Sequence, residues 1–341
     1  MMQKRRLKIA FLDCTKTQYN EETAATRPLG GIERCIISLA RALSDQGHEV
    51  QVFSNEAGSQ EINAIRWSYK YDSTDFQADI VIACNDATLF DLYATNAGHK
   101  NFRAVLWHHN PVRLWREVRK GRALSLLRWR PTLVFLGDYH RADYPAVLRF
   151  CPSVTIGHGI ELSVLQAPPA ALPLPPHAAF ISQSYRGLDN LIRLWTEFVF
   201  PRNPQAQLHV YSDCSQDHER LKNLGIHIRG RVSRQVLLED LPRTRVMLIP
   251  GHKDETFCLS ALEGLCLGIP MVTFGLGSLK ERVCDGQDGF LVQNNHEFAE
   301  KTLQLLHDDD LWQKMNQTAL ESRVHATWAE KAVLWNNLFQ G

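Results

Sequence analysis

Two glutamates, Glu255 and Glu263, stand eight positions apart in the stretch Pro250 to Val292, which reads PGHKDETFCLSALEGLCLGIPMVTFGLGSLKERVCDGQDGFLV. A carboxylate beside a cis-diol can accept two charge-assisted hydrogen bonds, each worth about 1.5–3 kcal/mol. Glu255 precedes a helix and Glu263 lies more than a turn inside it. The loop carboxylate can therefore meet one end of an extended ligand and the helical one the other. Between them is the start of the helix, where unpaired backbone N–H groups and about half a positive charge favour an anion. The arrangement suits a ribose at one side, a diphosphate over the helix end and a sugar hydroxyl at the other side.

The elements that must hold these groups can be read from the same stretch. A strand, Val246–Ile249, ends at Pro250. The helix begins near Phe257 or Cys258, and Gly268 stops it. A second buried strand, Met271–Phe274, follows Ile269-Pro270. The loop Gly275-Leu276-Gly277-Ser278 then opens another helix. Two strand-to-helix turns are thus expected to bring two helix N-termini to one place.

Glu255, Phe257, Leu259, Glu263, Gly268, Pro270, Val272, Glu281, Asp285, Gly286 and Gly289 together resemble the donor-binding region of retaining glycosyltransferases of family 4, with the GT-B fold. That family reads E-G-F-G-L-x-x-x-E-A-M-A-x-G-x-P-V-V, then a glycine-containing loop, Glu and D-G-x-x-G. Thr256 and Cys258 stand where the family has glycines, a departure that could narrow the sugar pocket. The resemblance implies that Glu263 holds the ribose and Glu255 the sugar hydroxyls. It implies that Phe257-Cys258-Leu259 and Gly277 line the donor site. Gly230-Arg231-Val232-Ser233 resembles the turn bordering the nucleotide base, so Arg231 and Val232 are expected there. Arg186, in Ser182-Gln183-Ser184-Tyr185-Arg186-Gly187, matches the lysine of a basic pair that binds the leaving phosphates. The arginine of that pair is replaced by Ser182 or Gln183, and Lys253 is a conjectural substitute.

The N-terminal half has its own candidates. Ile9–Leu12 reads as a buried strand and Asp13 to Leu29 as a long polar loop. Gly30-Gly31 opens a helix from Ile32 to about Gln46, whose Ile32, Ile36, Leu39, Ala40 and Leu43 share one face. With the strand Glu49–Ser54 this makes a parallel βαβ unit. G-G-I-E-R is not the dinucleotide G-x-G-x-x-G, which argues against a nicotinamide enzyme. The resemblance places Gly30 and Gly31 against the donor diphosphate and the acceptor. The strand Ala104–Trp107 ends in His108-His109-Asn110-Pro111, at the kind of strand terminus where open α/β sheets hold ligands. A strand alternates its side chains, so one of the two histidines is expected to face the cleft. His109 is the first choice for the donor-sugar contact that the resemblance implies and His108 the second. Further strands are expected at Asp79–Ala83, Thr132–Leu136 and Val154–Ile156. After the last, Gly157-His158-Gly159-Ile160-Glu161 resembles the family's I-P-N-G-V-D turn, with His158 at the asparagine.

Two segments have unusual composition. Residues 113–130 contain Arg113, Arg116, Arg119, Lys120, Arg122, Arg128 and Arg130 against one acid, Glu117, with Trp115, Leu124, Leu126, Leu127 and Trp129 interleaved. That pattern fits an anionic membrane surface or an anionic acceptor as well as it fits a solvated helix whose arginine stems cover the core. Ala167 to His177 is APPAALPLPPH; its prolines exclude a helix or central strand, so it is expected to be a stiff linker.

With 341 residues, two ordinary domains are expected. Apolar content of 44% and charged content of 22% are those of a globular chain, and a net charge of +1 gives no whole-chain signal for a polyanion. No apolar run is long enough to span a bilayer, and Met1 to Lys8 lacks the apolar core of a signal peptide. Eight scattered cysteines without C-x-x-C are expected to be reduced, and the histidines have no metal-binding spacing.

The expected fold is GT-B: two doubly wound Rossmann-like α/β domains facing a central cleft. Residues 1–166 form the acceptor-side domain, 167–177 the linker, 178–325 the nucleotide-sugar domain and 326–341 a helix crossing back. The expected function is transfer of a sugar, with retention, from a nucleoside diphosphate sugar to a glycan or lipid-linked acceptor in bacterial surface polysaccharide or lipopolysaccharide synthesis. It is expected in the cytoplasm, peripheral to the inner face of the membrane, with no cofactor, no metal and no nucleic acid partner. His109, Glu255 and Arg186 are the expected catalytic set. A carboxylate pair of the glycosidase kind is not evident. A silent nucleotide-sugar-binding protein and a GT-B epimerase are the other readings.

Overall fold

The computed structural model describes residues 5–26, 28–322 and 327–340. The chain divides into two compact units, one running to Gly159 and resuming at Trp328, the other spanning Ile160–Thr327.

The first unit is built on a seven-stranded parallel sheet. Its strands are β1 (Lys8–Leu12), β2 (Glu49–Ile62), β3 (Ile65–Tyr69), β4 (Ile80–Cys84), β5 (Arg103–Trp107), β6 (Thr132–Phe135) and β7 (Ser153–Thr155), in the order β3-β2-β1-β4-β5-β6-β7. The reversal at β1/β4 makes it doubly wound. β1, β4 and β5 are near-continuous apolar runs because helices cover both faces of a parallel sheet. Helix Gly31–Asp45 buries Cys35, Ile36, Ile37, Leu39, Ala40 and Leu43, at about 1.5–3 kcal/mol for each large aliphatic side chain. Within the expected loop 13–29 there is one short helix, Glu21–Thr26. The final helix, Trp328–Gln340, packs on this unit: His48 Nε2 and Asn336 Oδ1 lie 2.8 Å apart, and Trp335 is fully buried against Trp107.

The second unit has a six-stranded parallel sheet in the order β10-β9-β8-β11-β12-β13. The strands are β8 (His177–Phe180), β9 (Gln207–Val210), β10 (Ile226–Ile228), β11 (Val246–Leu248), β12 (Met271–Thr273) and β13 (Gly289–Leu291). Helix Leu259–Cys266 follows β11. The helix after β8 runs Leu188–Leu194 and continues as a π-helical turn to Val199.

Three expectations are corrected. The boundary lies at Gly159/Ile160 rather than in the proline-rich stretch. Prolines exclude regular structure but not packing: Ala170 is buried, its N–H donates to the Leu267 carbonyl at 2.9 Å, and its own carbonyl accepts from Asn316 at 3.0 Å. Residues 167–177 are therefore part of the second unit. At the other crossing, the change of unit falls at Thr327/Trp328 instead of 325/326. The helix expected after β12 is a single 3-10 helix, Gly277–Glu281, so one full helix N-terminus, not two, stands in this part of the second unit.

Candidate functional site

The loops after β8, β11 and β12 are fastened to each other at the carboxyl ends of their strands. Gly251 bridges Leu276, Ser278 N–H donates to the Glu255 carbonyl at 3.0 Å, and Ser260 Oγ donates to the Ile181 carbonyl at 3.2 Å. Gly277 lies where the backbones approach closely. Its φ is +66°, and a Cβ there would stand 2.7 Å from the carbonyl oxygens of both Glu255 and His252. Only glycine fits that approach in that backbone conformation.

Glu255 is held inside this junction with 5% of its side chain exposed. One carboxylate oxygen accepts from the Cys258 N–H at 3.0 Å, in the turn that enters helix Leu259–Cys266. The other forms an ion pair with the Arg186 guanidinium from the loop after β8. Burial works against the charge on Arg186, but the Glu255 carboxylate outweighs it and holds the group above the usual arginine range. Arg186 also donates to Tyr185 Oη at 3.2 Å. Two of the three residues expected to be catalytic thus meet, through opposite charges. The geometry can offer a guanidinium to an anion and a carboxylate to hydroxyls, provided a ligand separates the pair.

Cys258 has φ +64° and ψ 75°, a left-handed conformation that a residue with a Cβ adopts at a cost of about 1–2 kcal/mol. This gives a physical reason for a glycine at the corresponding place in the resembled family. The Cys258 thiol is buried, and burial with the Glu255 charge pushes its pKa well up, so it is no nucleophile. Phe257 is buried, and the Arg282 guanidinium lies 4.4 Å from its ring centre. Burial lowers the pKa of Arg282, although the carboxylate of the adjacent Glu281 lies 3.6 Å from its guanidinium.

Glu263, on the helix, faces Arg234 at 2.8 Å, and Arg234 reaches Glu161 at 3.3 Å. Arg234 is 10% exposed; burial opposes its charge, and Glu263 and then Glu161 more than restore it. It begins helix Arg234–Asp240, directly after the turn containing Arg231 and Val232. Arg231 is exposed and pairs with Asp213 at 3.1 Å. Arg234 and Arg282 escaped sequence reasoning, since a single arginine carries no spacing signal. A buried partner for a helical glutamate was the only clue.

Gly30, Gly31 and His109 belong to the first unit. The Glu33 carboxyl, in the first turn of helix Gly31–Asp45, folds back against Gly30 and occupies the space a side chain there would enter. Burial raises the Glu33 pKa. The close approach that the Gly-Gly pair allows is therefore made by the helix's own carboxyl group. His108 and His109 take opposite faces, as strand alternation requires. His108 stacks on Phe135 and lies beside Tyr144. The His109 imidazole contacts Trp107 and stacks on His158 at 5.1 Å between centroids. Asn85 Oδ1 fixes this turn by accepting the N–H groups of His109 at 2.7 Å and Asn110 at 3.1 Å. Both histidines are buried, which keeps both imidazoles neutral. His158, at the family's asparagine position, thus packs on the histidine proposed to meet the sugar.

Residues 176–308, under half of the chain, match the model of the family described as glycosyl transferases group 1. The D-inositol 3-phosphate glycosyltransferase of Corynebacterium aurimucosum is 29% identical over 188 residues, which are 49% of this chain and 44% of that protein. The chain thus spans less than half the length of the first curated relatives it matches. An uncharacterized glycosyltransferase of Haemophilus influenzae is 23% identical over 84% of this chain and 90% of its own length. Among solved structures, sucrose-phosphate synthase from Thermosynechococcus elongatus superposes with a TM-score of 0.74 at 15% identity, over 98% of both chains. Anabaena HepE in complex with UDP superposes at 0.72 and 14% identity, over 98% of this chain and 100% of that one. The fold is GT-B, with two parallel-sheet Rossmann-like units, and the match to the glycosyl transferases group 1 model lies within the second unit.

Proposed function

We propose that this chain, with its glycosyl transferases group 1 domain in a GT-B fold, is a retaining glycosyltransferase. It would move a sugar from a nucleoside diphosphate donor to a glycan or lipid-linked acceptor of a bacterial surface polysaccharide or lipopolysaccharide. The observation that carries the reading is the Arg186–Glu255 pair at the entry to helix Leu259–Cys266. It sets a cation for a leaving phosphate beside a carboxylate for sugar hydroxyls. HepE, solved in complex with UDP and with UDP-glucose, supports a donor of this class by its shared fold.

In this reading Arg186 and the first amides of the helix stabilise the charge that builds on the leaving diphosphate oxygen, without a metal. Glu263, steadied by Arg234, takes the ribose. Arg231 and Val232 border the base. Glu255 releases Arg186 to the phosphate and takes the sugar hydroxyls. His109, buried and neutral, offers one ring nitrogen to the sugar. With no carboxylate assigned as nucleophile, departure and attack share one face of the sugar, and the phosphate receives the acceptor proton. A cytoplasmic setting suits the eight free cysteines.

The test incubates the chain with a panel of nucleoside diphosphate sugars and acceptors and reads the anomeric configuration of the product by NMR. Retention is expected. An inverted product removes the one-face mechanism, conversion of donor without acceptor supports the epimerase, and binding without turnover supports the silent binder.

A further inference from the structure

Arg282 holds a positive charge that the phosphate end described above does not use. It caps the carboxyl end of the 3-10 helix Gly277–Glu281 that follows β12, and its N–H donates to the Leu279 carbonyl at 3.0 Å. Its side chain is 21% exposed. The guanidinium lies over the Phe257 ring, 4.4 Å from its centre, and Phe257 directly precedes Cys258 at the helix entry. Nε is enclosed and meets no hydrogen-bond acceptor among the described residues. Arg282 therefore stands at the turn Glu255–Cys258, where Arg186 also arrives, from the loop after β8. Burial and then Glu255 push the Cys258 thiol up in pKa, and both guanidinium groups act on it in the opposite sense.

Other enclosed arginines are compensated. Arg186 faces Glu255, Arg234 faces Glu263 and Arg122 faces Asp86, each carboxylate coming from another element. Burial opposes the charge of all three, and those carboxylates more than restore it. Arg282 has the carboxylate of its own neighbour, Glu281, and there burial prevails. A charge taken out of water without full compensation works against the fold. Such a group is explained by a partner that arrives from outside. Stacking on an aromatic ring fixes the plane of a guanidinium and leaves its N–H edge for an oxyanion. Lys253, the conjectural substitute for the arginine missing at Ser182 or Gln183, is exposed instead.

We propose that, within the donor reading given above and resting on it, Arg282 is a second cation of the donor site and receives an oxyanion of the nucleotide sugar. The oxyanion has two sources in such a donor: the diphosphate, and a carboxylate on the transferred sugar. Both present the same planar or near-planar pair of oxygens to a guanidinium.

Melting curves and calorimetry on the full chain test this with wild type, Arg282→Met, Arg282→Lys and Arg186→Ala. The probes are UDP, ADP and GDP, each alone and as its glucose and glucuronic acid conjugate. Methionine keeps an apolar stem on Phe257 and removes the charge, so without ligand Arg282→Met is expected to melt at or above wild type. It is expected to bind at least one probe about tenfold more weakly, and Arg282→Lys to recover part of the loss. Equal loss for a diphosphate and its conjugates identifies the diphosphate as the source. A loss confined to a glucuronic acid conjugate identifies the sugar carboxylate. Arg282→Met melting well below wild type overturns the proposal, since the arginine then braces the fold. Affinities untouched by Arg282→Met but lowered by Arg186→Ala also overturn it, and leave the donor reading standing. A wild-type chain that binds none of the probes removes both.

Discussion

Replacing Glu255 with glutamine separates the two duties given to this residue. Glutamine keeps the size and an oxygen able to accept the Cys258 N–H, and removes the charge facing Arg186. The side chains are 5% and 17% exposed, so the pair is shielded from water. Removing one member of a shielded pair costs about 3 kcal/mol, because the other charge stays buried without compensation. At about 2–4 °C per kcal/mol, the variant should melt about 6–12 °C below wild type. A nucleoside diphosphate brings its own charge to Arg186 and no longer competes with Glu255. The variant should therefore bind it about tenfold more tightly, a difference of about 1.4 kcal/mol. Transfer should fall about a hundredfold, from loss of about 3 kcal/mol of charged hydrogen bonds to the sugar. Melting curves with and without nucleotide, calorimetry and a labelled-sugar transfer assay read the three quantities. If the variant melts with the wild type, or nucleotide affinity falls in parallel with transfer, Glu255 is not the residue that holds Arg186 in reserve.

Other consequences follow from the same contacts. Gly277→Ala forces a Cβ to within 2.7 Å of two carbonyl oxygens at φ +66°, so it should lower stability by at least about 2 kcal/mol in denaturant melts and weaken nucleotide binding with it. Arg234→Met leaves Glu263 and Glu161 without their shared cation; nucleoside diphosphate affinity should drop about tenfold while Arg234→Lys recovers part of it, and equal binding by all three proteins would remove Arg234 from the ribose site. His140 is buried and held to a pKa of about 4, chiefly by desolvation. Its folded pKa lies below its unfolded one, so the unfolded chain binds the extra proton: stability should be level above pH ~6.5 and fall toward pH ~4, by up to about 1.4 kcal/mol per pH unit for this group. His140→Gln should flatten that part of the stability curve, and an unchanged slope would show that His140 does not couple folding to protons.

The elements that hold the site were readable because parallel strands buried on both faces are apolar throughout. β1, β4, β5 and β11 stand out as short apolar runs, and the strand-loop-helix rhythm makes their order doubly wound. β3 was not recognised, since Ile65 and Trp67 alternate with polar residues within a single short segment. β13 was not recognised because three residues, Gly289–Leu291, show no period. The proline-rich stretch looks like a linker in sequence because composition reports which regular structures are excluded, while only the Ala170 hydrogen bonds show where the stretch packs. Glu255, Glu263 and Gly277 could be found from their spacing and company. Arg186 is legible too, from its match to the family's basic pair, but its pairing with Glu255 across 69 positions is not, and neither is Arg234, which meets Glu263 across 29; both pairings are set by the fold and not by local pattern. In residues 113–130 the sequence showed the excess of charge, but only the inward pairs of Glu117, Arg122 and Asp91 sort the arginines that brace the fold from those that face out.

The central claim is that Arg186 and the entry to helix Leu259–Cys266 form the phosphate end of a donor site. Calorimetric titration of wild type and Arg186→Ala with a panel of nucleoside diphosphates, against the corresponding nucleosides, tests it most directly. At least one diphosphate should bind the wild type, its nucleoside should bind far more weakly, and Arg186→Ala should lose about tenfold or more of the diphosphate affinity. A wild-type chain that binds none of them, or a diphosphate whose affinity is untouched by Arg186→Ala, would contradict it.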